Sequence, residues 1–319
     1  MPPSHIQRMD DMPVPARFRS SLLSALAACA LLLAPAAPLH AETITIQHAQ
    51  GTSEVPLDPK TILVFDLAAL DTLDTLGVPV AGVPEGVKPA YLRHYNEAAY
   101  PKIGSLFEPD FEAVAAAAPD LIVIGGRSAA KYAELAAIAP TVDVTVDASR
   151  YIEDAKDKVR LLARITRREE EAERRIAALD ASIAALKDKA KGAGTGLILM
   201  TTGGRMSAYG PGSRFGIIHT VFGVAPAAAD LAVATHGQAV SYEFILKTDP
   251  DRLFVIDRDA AIGQRGQAAS VLLDNEIVRR TKAWSNGRVV YLDPDSWYLS
   301  GTGLTAMQAM VDEIAAALD

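Results

Sequence analysis

Arg127, Arg214, His236, Arg258 and Tyr298 sit on polar segments at the ends of predicted strands. Functional side chains concentrate on such loops. Three guanidinium groups suit an anion, through charge and forked hydrogen bonds. A histidine and a tyrosine beside them could move protons on an anionic substrate. Singly, each is weak: a loop histidine is ordinarily solvated, and a Trp-Tyr pair such as Trp297-Tyr298 ordinarily plugs a core. No Walker loop, Gly-x-Gly-x-x-Gly turn, Gly-x-Ser-x-Gly elbow or His-Glu-x-x-His helix is present, so no enzyme motif supports catalysis. Gly210-Pro211-Gly212-Ser213-Arg214 lacks the lysine of a phosphate loop and reads as a ligand loop or a plain turn.

The elements that must position these residues alternate in type. Strands are expected at Thr61–Asp66, Val78–Val83, Leu121–Gly125, Val142–Val146, Gly196–Met200, Leu253–Asp257 and Arg288–Leu292. Helices are expected at Leu67–Leu76, Phe111–Ala118, Ser128–Ile138, Ile152–Ile165, Phe215–Phe222, Tyr242–Leu246 and Thr302–Leu318. This alternation predicts an α/β protein with mostly parallel sheets. Thr166 to Lys191 differs: it is densely charged, with an apolar stripe at Ala172, Ile176, Leu179, Ile183 and Leu186. Thr166 with Glu169 reads as a capping box, and Gly192, Gly194 and Gly196 as the end of one long helix. The stripe is short for a coiled coil, so the expectation is a rigid strut joining two lobes. Residues 42–165 form the first lobe, 166–192 the linking helix and 193–319 the second lobe.

A weak internal repeat supports two lobes. Glu112, Pro119-Asp120 and Arg127 recur at the same offsets as Glu243, Pro250-Asp251 and Arg258. Each copy reads as a helix, a Pro-Asp turn and a strand ending in arginine, which puts Glu and Arg on one edge. In parallel sheets that edge, at the carboxyl ends of the strands, is where ligands bind.

Of the 319 residues, half are hydrophobic and 22% charged, with a formal charge of −8. That balance argues against nucleic acid or an anionic membrane as partner. Arg17 and Arg19 precede an apolar run from Leu22 to Ala34, and small residues continue to Ala41. A secretory signal over residues 1–41 follows, cleaved after Ala41. The single cysteine, Cys29, lies in a Leu26-Ala27-Ala28-Cys29 lipoprotein-type box, but the apolar residues after it favour an ordinary signal. Without Cys29 the mature chain has no disulfide, and the cell envelope is its expected location.

Several runs then resemble one family. They are Gly104-Ser105-Leu106-Phe107-Glu108-Pro109-Asp110, Ile124-Gly125-Gly126-Arg127, Ala208-Tyr209-Gly210-Pro211-Gly212-Ser213-Arg214-Phe215-Gly216 and His236-Gly237-Gln238-Ala239-Val240-Ser241. With Asp257-Arg258, Leu272-Leu273-Asp274-Asn275 and Tyr291 to Tyr298, they resemble the periplasmic ferric-siderophore-binding proteins of the enterochelin and petrobactin type. The resemblance implies two α/β lobes bridged by one long helix, with the ligand between them. It implies Arg127, Arg214 and Arg258 around an anionic catecholate, and His236 and Tyr298 as donors to the ferric iron it carries. A tetradentate siderophore leaves two iron positions open, and phenolate and imidazole suit them. Glu112 and Glu243 would dock on an ABC permease, with Glu108 as substitute in the first lobe. No intrinsic cofactor is expected, and the chain is expected to act as a monomer in the periplasm, closing little. Haem or cobalamin in the same fold, and an acid–base enzyme, stand as alternatives.

Overall fold

The computed structural model describes residues 42–319; the expected leader over 1–41, its cleavage site and Cys29 lie outside the described residues. The chain enters through an antiparallel hairpin of β1 (Thr43–His48) and β2 (Gly51–Pro56). Its period-two pattern turns Ile46, His48 and Val55 inward, a signal that the strand expectations above passed over. Next comes a parallel sheet of β3 (Ile62–Val64), β4 (Leu121–Ile124) and β5 (Thr141–Asp143), in that order. All three strands are buried throughout, as parallel strands covered on both faces are.

The second sheet holds β6 (Thr195–Thr202), β7 (Arg205–Tyr209), β8 (Ala225–Pro226), β9 (Gln238–Ala239), β10 (Arg252–Asp257) and β11 (Val289–Leu292). Its order is β11-β10-β6-β7-β9, with β8 also on β6. Its β11-β10-β6 part and the β6-β8 pair match the parallel expectation; β7 pairs antiparallel with both β6 and β9. The cause is Gly203-Gly204, both at positive φ, which close the two-residue turn that folds β7 back on β6. Gly196 does not end the preceding helix but lies in β6, where a Cβ would meet the Phe254 ring at 2.7 Å.

The long helix spans Glu169–Ala190, 22 residues and so about 33 Å. The predicted stripe of Ala172, Ile176, Leu179, Ile183 and Leu186 is buried in full, which excludes a solvated coiled coil. Burying each Ile or Leu contributes about 1.5–3 kcal/mol. The capping box does not form. Thr166 stays as the last residue of helix Tyr151–Thr166, its hydroxyl donating to Leu162 O at 2.8 Å. The break is made by Arg167 in the left-handed region, and three glutamates then open the new helix at its positive end. The long helix packs on Tyr151–Thr166 and on the C-terminal helix Leu304–Ala317, which also lies against helix Leu67–Thr75.

Several expected elements are shorter than anticipated, among them the strands now at Ile62–Val64 and Thr141–Asp143, and three more change character. Val78–Val83 makes isolated bridges at Gly82 and Val83 rather than a strand, since Pro79 has no N–H to give a ladder. Ser128–Ile138 divides into a 3-10 turn, Ala129–Lys131, and a helix, Tyr132–Ala136, because Ser128 turns back on Gly125 O. Phe215–Phe222 is helical only over Ile217–Thr220.

The internal repeat is present in the backbone. Ala118 and Asp249, each just before the Pro of a Pro-Asp turn, both have φ near +43° (44° and 42°). Asp120 then accepts from the Lys60 and Thr61 amides at the start of β3, and Asp251 from the Thr195 amide at the start of β6. In both halves one carboxylate ties the turn to the neighbouring strand.

Candidate functional site

β4 and β10 deliver the first pair of arginines. Arg127 follows β4 by three residues, and Arg258 comes directly after β10. Arg214 sits on the turn after β7, where Ser213 bonds back to Gly210 O through both its amide, at 3.0 Å, and its hydroxyl, at 2.7 Å. The candidate phosphate loop is therefore a turn that presents Arg214. Tyr298 stands in a π-helical turn, Asp295–Leu299, after β11.

The structure brings these four together. Arg127 donates Nη2 to Tyr298 O at 2.9 Å and Nη1 to Leu299 O at 3.2 Å. Arg214 reaches the same Tyr298 carbonyl at 3.4 Å. Arg258 donates Nε to the Tyr298 hydroxyl at 2.8 Å and Nη1 to the Thr202 hydroxyl at 3.3 Å. The guanidinium carbons of Arg127, Arg214 and Arg258 lie 5.8, 5.1 and 5.5 Å from the centre of the Tyr298 ring. Arg214 also stacks on Phe215 at 4.6 Å. These are cation–π distances, and one phenol is the hub of three cations.

None of the three arginines forms an ion pair with a carboxylate among the described residues. Their partners are carbonyls, hydroxyls and rings; Asp66, in the same lining, acts on Arg127 through space without bonding to it. Burial pushes the Arg214 guanidinium below its ordinary value. It also pushes the phenols of Tyr151 and Tyr209 up to about 12, Arg214 working the other way. Both phenols are thus protonated donors at neutral pH. A cleft of about 540 Å³ opens on this cluster. The first half lines it with Asp66, Phe107, Arg127, Thr145 and Tyr151; the second half contributes Arg214, Thr235, Tyr298, Leu299, Gly301 and Thr302.

His236 is not joined to the cluster. It is exposed on a turn closed by the Gly237 amide on Ala234 O, and its neighbour Thr235 faces the cleft. Glu112 and Glu243 occupy matching places: each is exposed in the first turn of a short helix capped by a side chain, Asp110 or Ser241. The Ser241 hydroxyl holds the Glu243 carboxyl below the usual range. Glu108 is already paired with Lys131 at 2.8 Å. Sequence reasoning missed Phe107, Tyr151 and Asp66 as cleft residues. Phe107 lay inside a recognised run; Tyr151 and Asp66 come from helix starts with no local polar signal.

Comparison with known proteins fits this architecture. The model of the family described as "Periplasmic binding protein" matches residues 62–296. The petrobactin-binding protein YclQ of Bacillus subtilis is 44% identical over 283 residues, 87% of this chain and 89% of that protein. Its crystal structure superposes with a TM-score of 0.85, covering 87% of this chain and 99% of that one. The ferric-anguibactin-binding protein FatB of Vibrio anguillarum is 32% identical, covering 85% and 86% of the two chains. The periplasmic catecholate-siderophore binding protein VctP of Vibrio cholerae is 33% identical with a TM-score of 0.82, over 86% of this chain and 100% of that one. With residues from both halves lining one arginine-bearing cleft and the family match spanning residues 62–296, this chain belongs to the periplasmic binding protein family.

Proposed function

We propose that this protein captures a ferric siderophore of the catecholate class in the periplasm and delivers it to an ABC permease. The observation that carries the reading is the arginine triad: three unpaired guanidinium groups gathered on one tyrosine at the base of a cleft. A ferric catecholate is anionic and flat at its rings, so it offers charge, oxygen acceptors and π faces together. Arg127 is held by two backbone carbonyls and Arg258 by two hydroxyls. Donors fixed in this way lose little freedom on binding. Related proteins named for petrobactin, anguibactin and catecholate siderophores support the ligand class.

Iron in this reading is cargo. Tyr298 Oη already accepts from Arg258 at 2.8 Å, and its oxygen keeps a second lone pair for a ferric ion. Tyr298 supplies one iron donor to a tetradentate complex, and His236 the second from the lip beside Thr235. Glu112 and Glu243, exposed at matching helix starts, dock on permease cations.

Trp297, buried beside Tyr298 with its indole N–H on Glu313 at 2.7 Å, is a built-in reporter. Residues 42–319 titrated with a ferric bis-catecholate should show saturable quenching and a purple-red charge-transfer band. A ferric hydroxamate and haemin should not. Saturation with haemin or hydroxamate, and none with catecholate, would sink the ligand assignment.

A further inference from the structure

We infer that Phe107 selects the ligand, by stacking on an aromatic ring of the iron chelator at the mouth of the cleft; this rests on the reading of the cleft as a catecholate site. Phe107 lines the same cleft as Arg127, Arg214 and Tyr298. Yet it is 59% exposed, the one phenylalanine left in water among the described residues. A lone exposed apolar side chain needs no explanation by itself. What sets this one apart is that its backbone cannot withdraw it.

The Ser105 hydroxyl oxygen accepts from the Phe107 amide at 3.2 Å and the Glu108 amide at 3.0 Å, and the Ser105 amide donates to Glu108 O at 2.9 Å. The Asp110 amide donates to Ile103 O at 2.9 Å, closing the base of the turn. Glu108 pairs with Lys131 at 2.8 Å. At the base, Gly104 has φ +106°, and a Cβ there would meet the Asp110 amide nitrogen at 2.4 Å. The turn therefore holds a phenyl ring over the cleft at the cost of leaving it solvated.

The cleft divides its labour accordingly. Guanidinium groups at the base take the charged oxygens of the complex, which a hydroxamate or a carboxylate chelator also has. A ring at the mouth takes a π face, which only an aromatic chelator has. Aromatic pairs prefer offset or edge-to-face contact and gain beyond the area they bury.

The test is direct titration of residues 42–319 with a synthetic ferric bis-catecholamide, read through Trp297 quenching, with a ferric dihydroxamate as control. Because Phe107 is exposed, its variants should melt like the parent. Phe107→Ala is expected to weaken the catecholamide complex roughly 10- to 100-fold. Phe107→Tyr should stay within about 3-fold, and Phe107→Leu, apolar without a π face, should fall between. An affinity unchanged in Phe107→Ala, or restored in full by Phe107→Leu, overturns the stacking role and leaves the arginine cleft standing. If the parent takes the dihydroxamate and ignores the catecholamide, the site reading fails and the selection by Phe107 goes with it.

Discussion

At the scale of single residues, Tyr298 does three jobs through separate atoms. Its carbonyl holds Arg127 and Arg214, its ring faces all three arginines, and its hydroxyl holds Arg258. Tyr298→Phe removes only the last. It should weaken a tetradentate ferric complex about 10-fold or more and abolish the phenolate charge-transfer contribution, while a hexadentate complex changes less than about 3-fold. Equal losses for both would remove iron coordination from the role of Tyr298. A second residue-scale prediction concerns acid. Burial holds the imidazoles of His48 and His219 below 6.5, His219 bonding Val224 O at 2.8 Å. The unfolded chain binds protons there that the fold refuses, so this stability is full above about 6.5 and is lost as pH falls toward the folded values. Thermal midpoints should drop between pH 7 and 5, and His219→Asn should reduce that drop by about 2–4 °C. A drop of the same size in the variant would place the acid sensitivity elsewhere. Arg127, Arg214, Arg258 and Tyr298, each weak on its own, were marked out by the resemblance of the runs that hold them. Their convergence was implied by the same resemblance, but not the carbonyls of residues 298 and 299 that hold Arg127 and Arg214, which no side-chain pattern encodes.

Elements set where those residues stand. Asp71, buried in helix Leu67–Thr75, accepts from the Thr305 and Ala306 amides at 3.0 Å each and from the Tyr91 hydroxyl at 3.0 Å. It caps the C-terminal helix from another element, and burial raises its carboxyl above the ordinary range against those donors. Asp71→Ala would strand two helix-end amides and a phenol. The expected cost is about 3 kcal/mol by denaturant unfolding, with Asp71→Asn losing less. A cost below about 1 kcal/mol would mean that the helix start is capped some other way. Most elements followed from hydrophobic period: the stripe from Ala172 to Leu186 is buried as spaced, and β4, β10 and β11 lie where apolar runs placed them. The failures are local backbone choices. Arg167 in the left-handed region made the break where Thr166 was expected to cap the next helix, and Gly203-Gly204 folded the chain back into β7, a strand absent from the sequence expectations. Neither has a periodic signature.

For the whole molecule, the long helix and the C-terminal helix pack on each other and on helices of the first half, forming a continuous spine behind the cleft. Hinge closure needs a few residues free to change φ and ψ, and a packed spine resists it. Small-angle scattering should find a radius of gyration near 19 Å that shifts by less than ~0.5 Å on ligand addition. A contraction of several ångströms would show a hinge despite the spine. The Asp120 and Asp251 ties repeat one local turn in both halves. Glu112 and Glu243 stand exposed in the first turns of matching short helices; on the proposed docking role, reversing both charges should abolish uptake while leaving ligand affinity unchanged. The most direct measurement for the central claim is anomalous diffraction at the iron edge from crystals grown with a ferric bis-catecholate. The account predicts a single iron peak in the cleft, bonded to Tyr298 Oη and ringed by Arg127, Arg214 and Arg258. Iron bound outside the cleft, or in it with the three arginines still turned to protein carbonyls and hydroxyls alone, would contradict it.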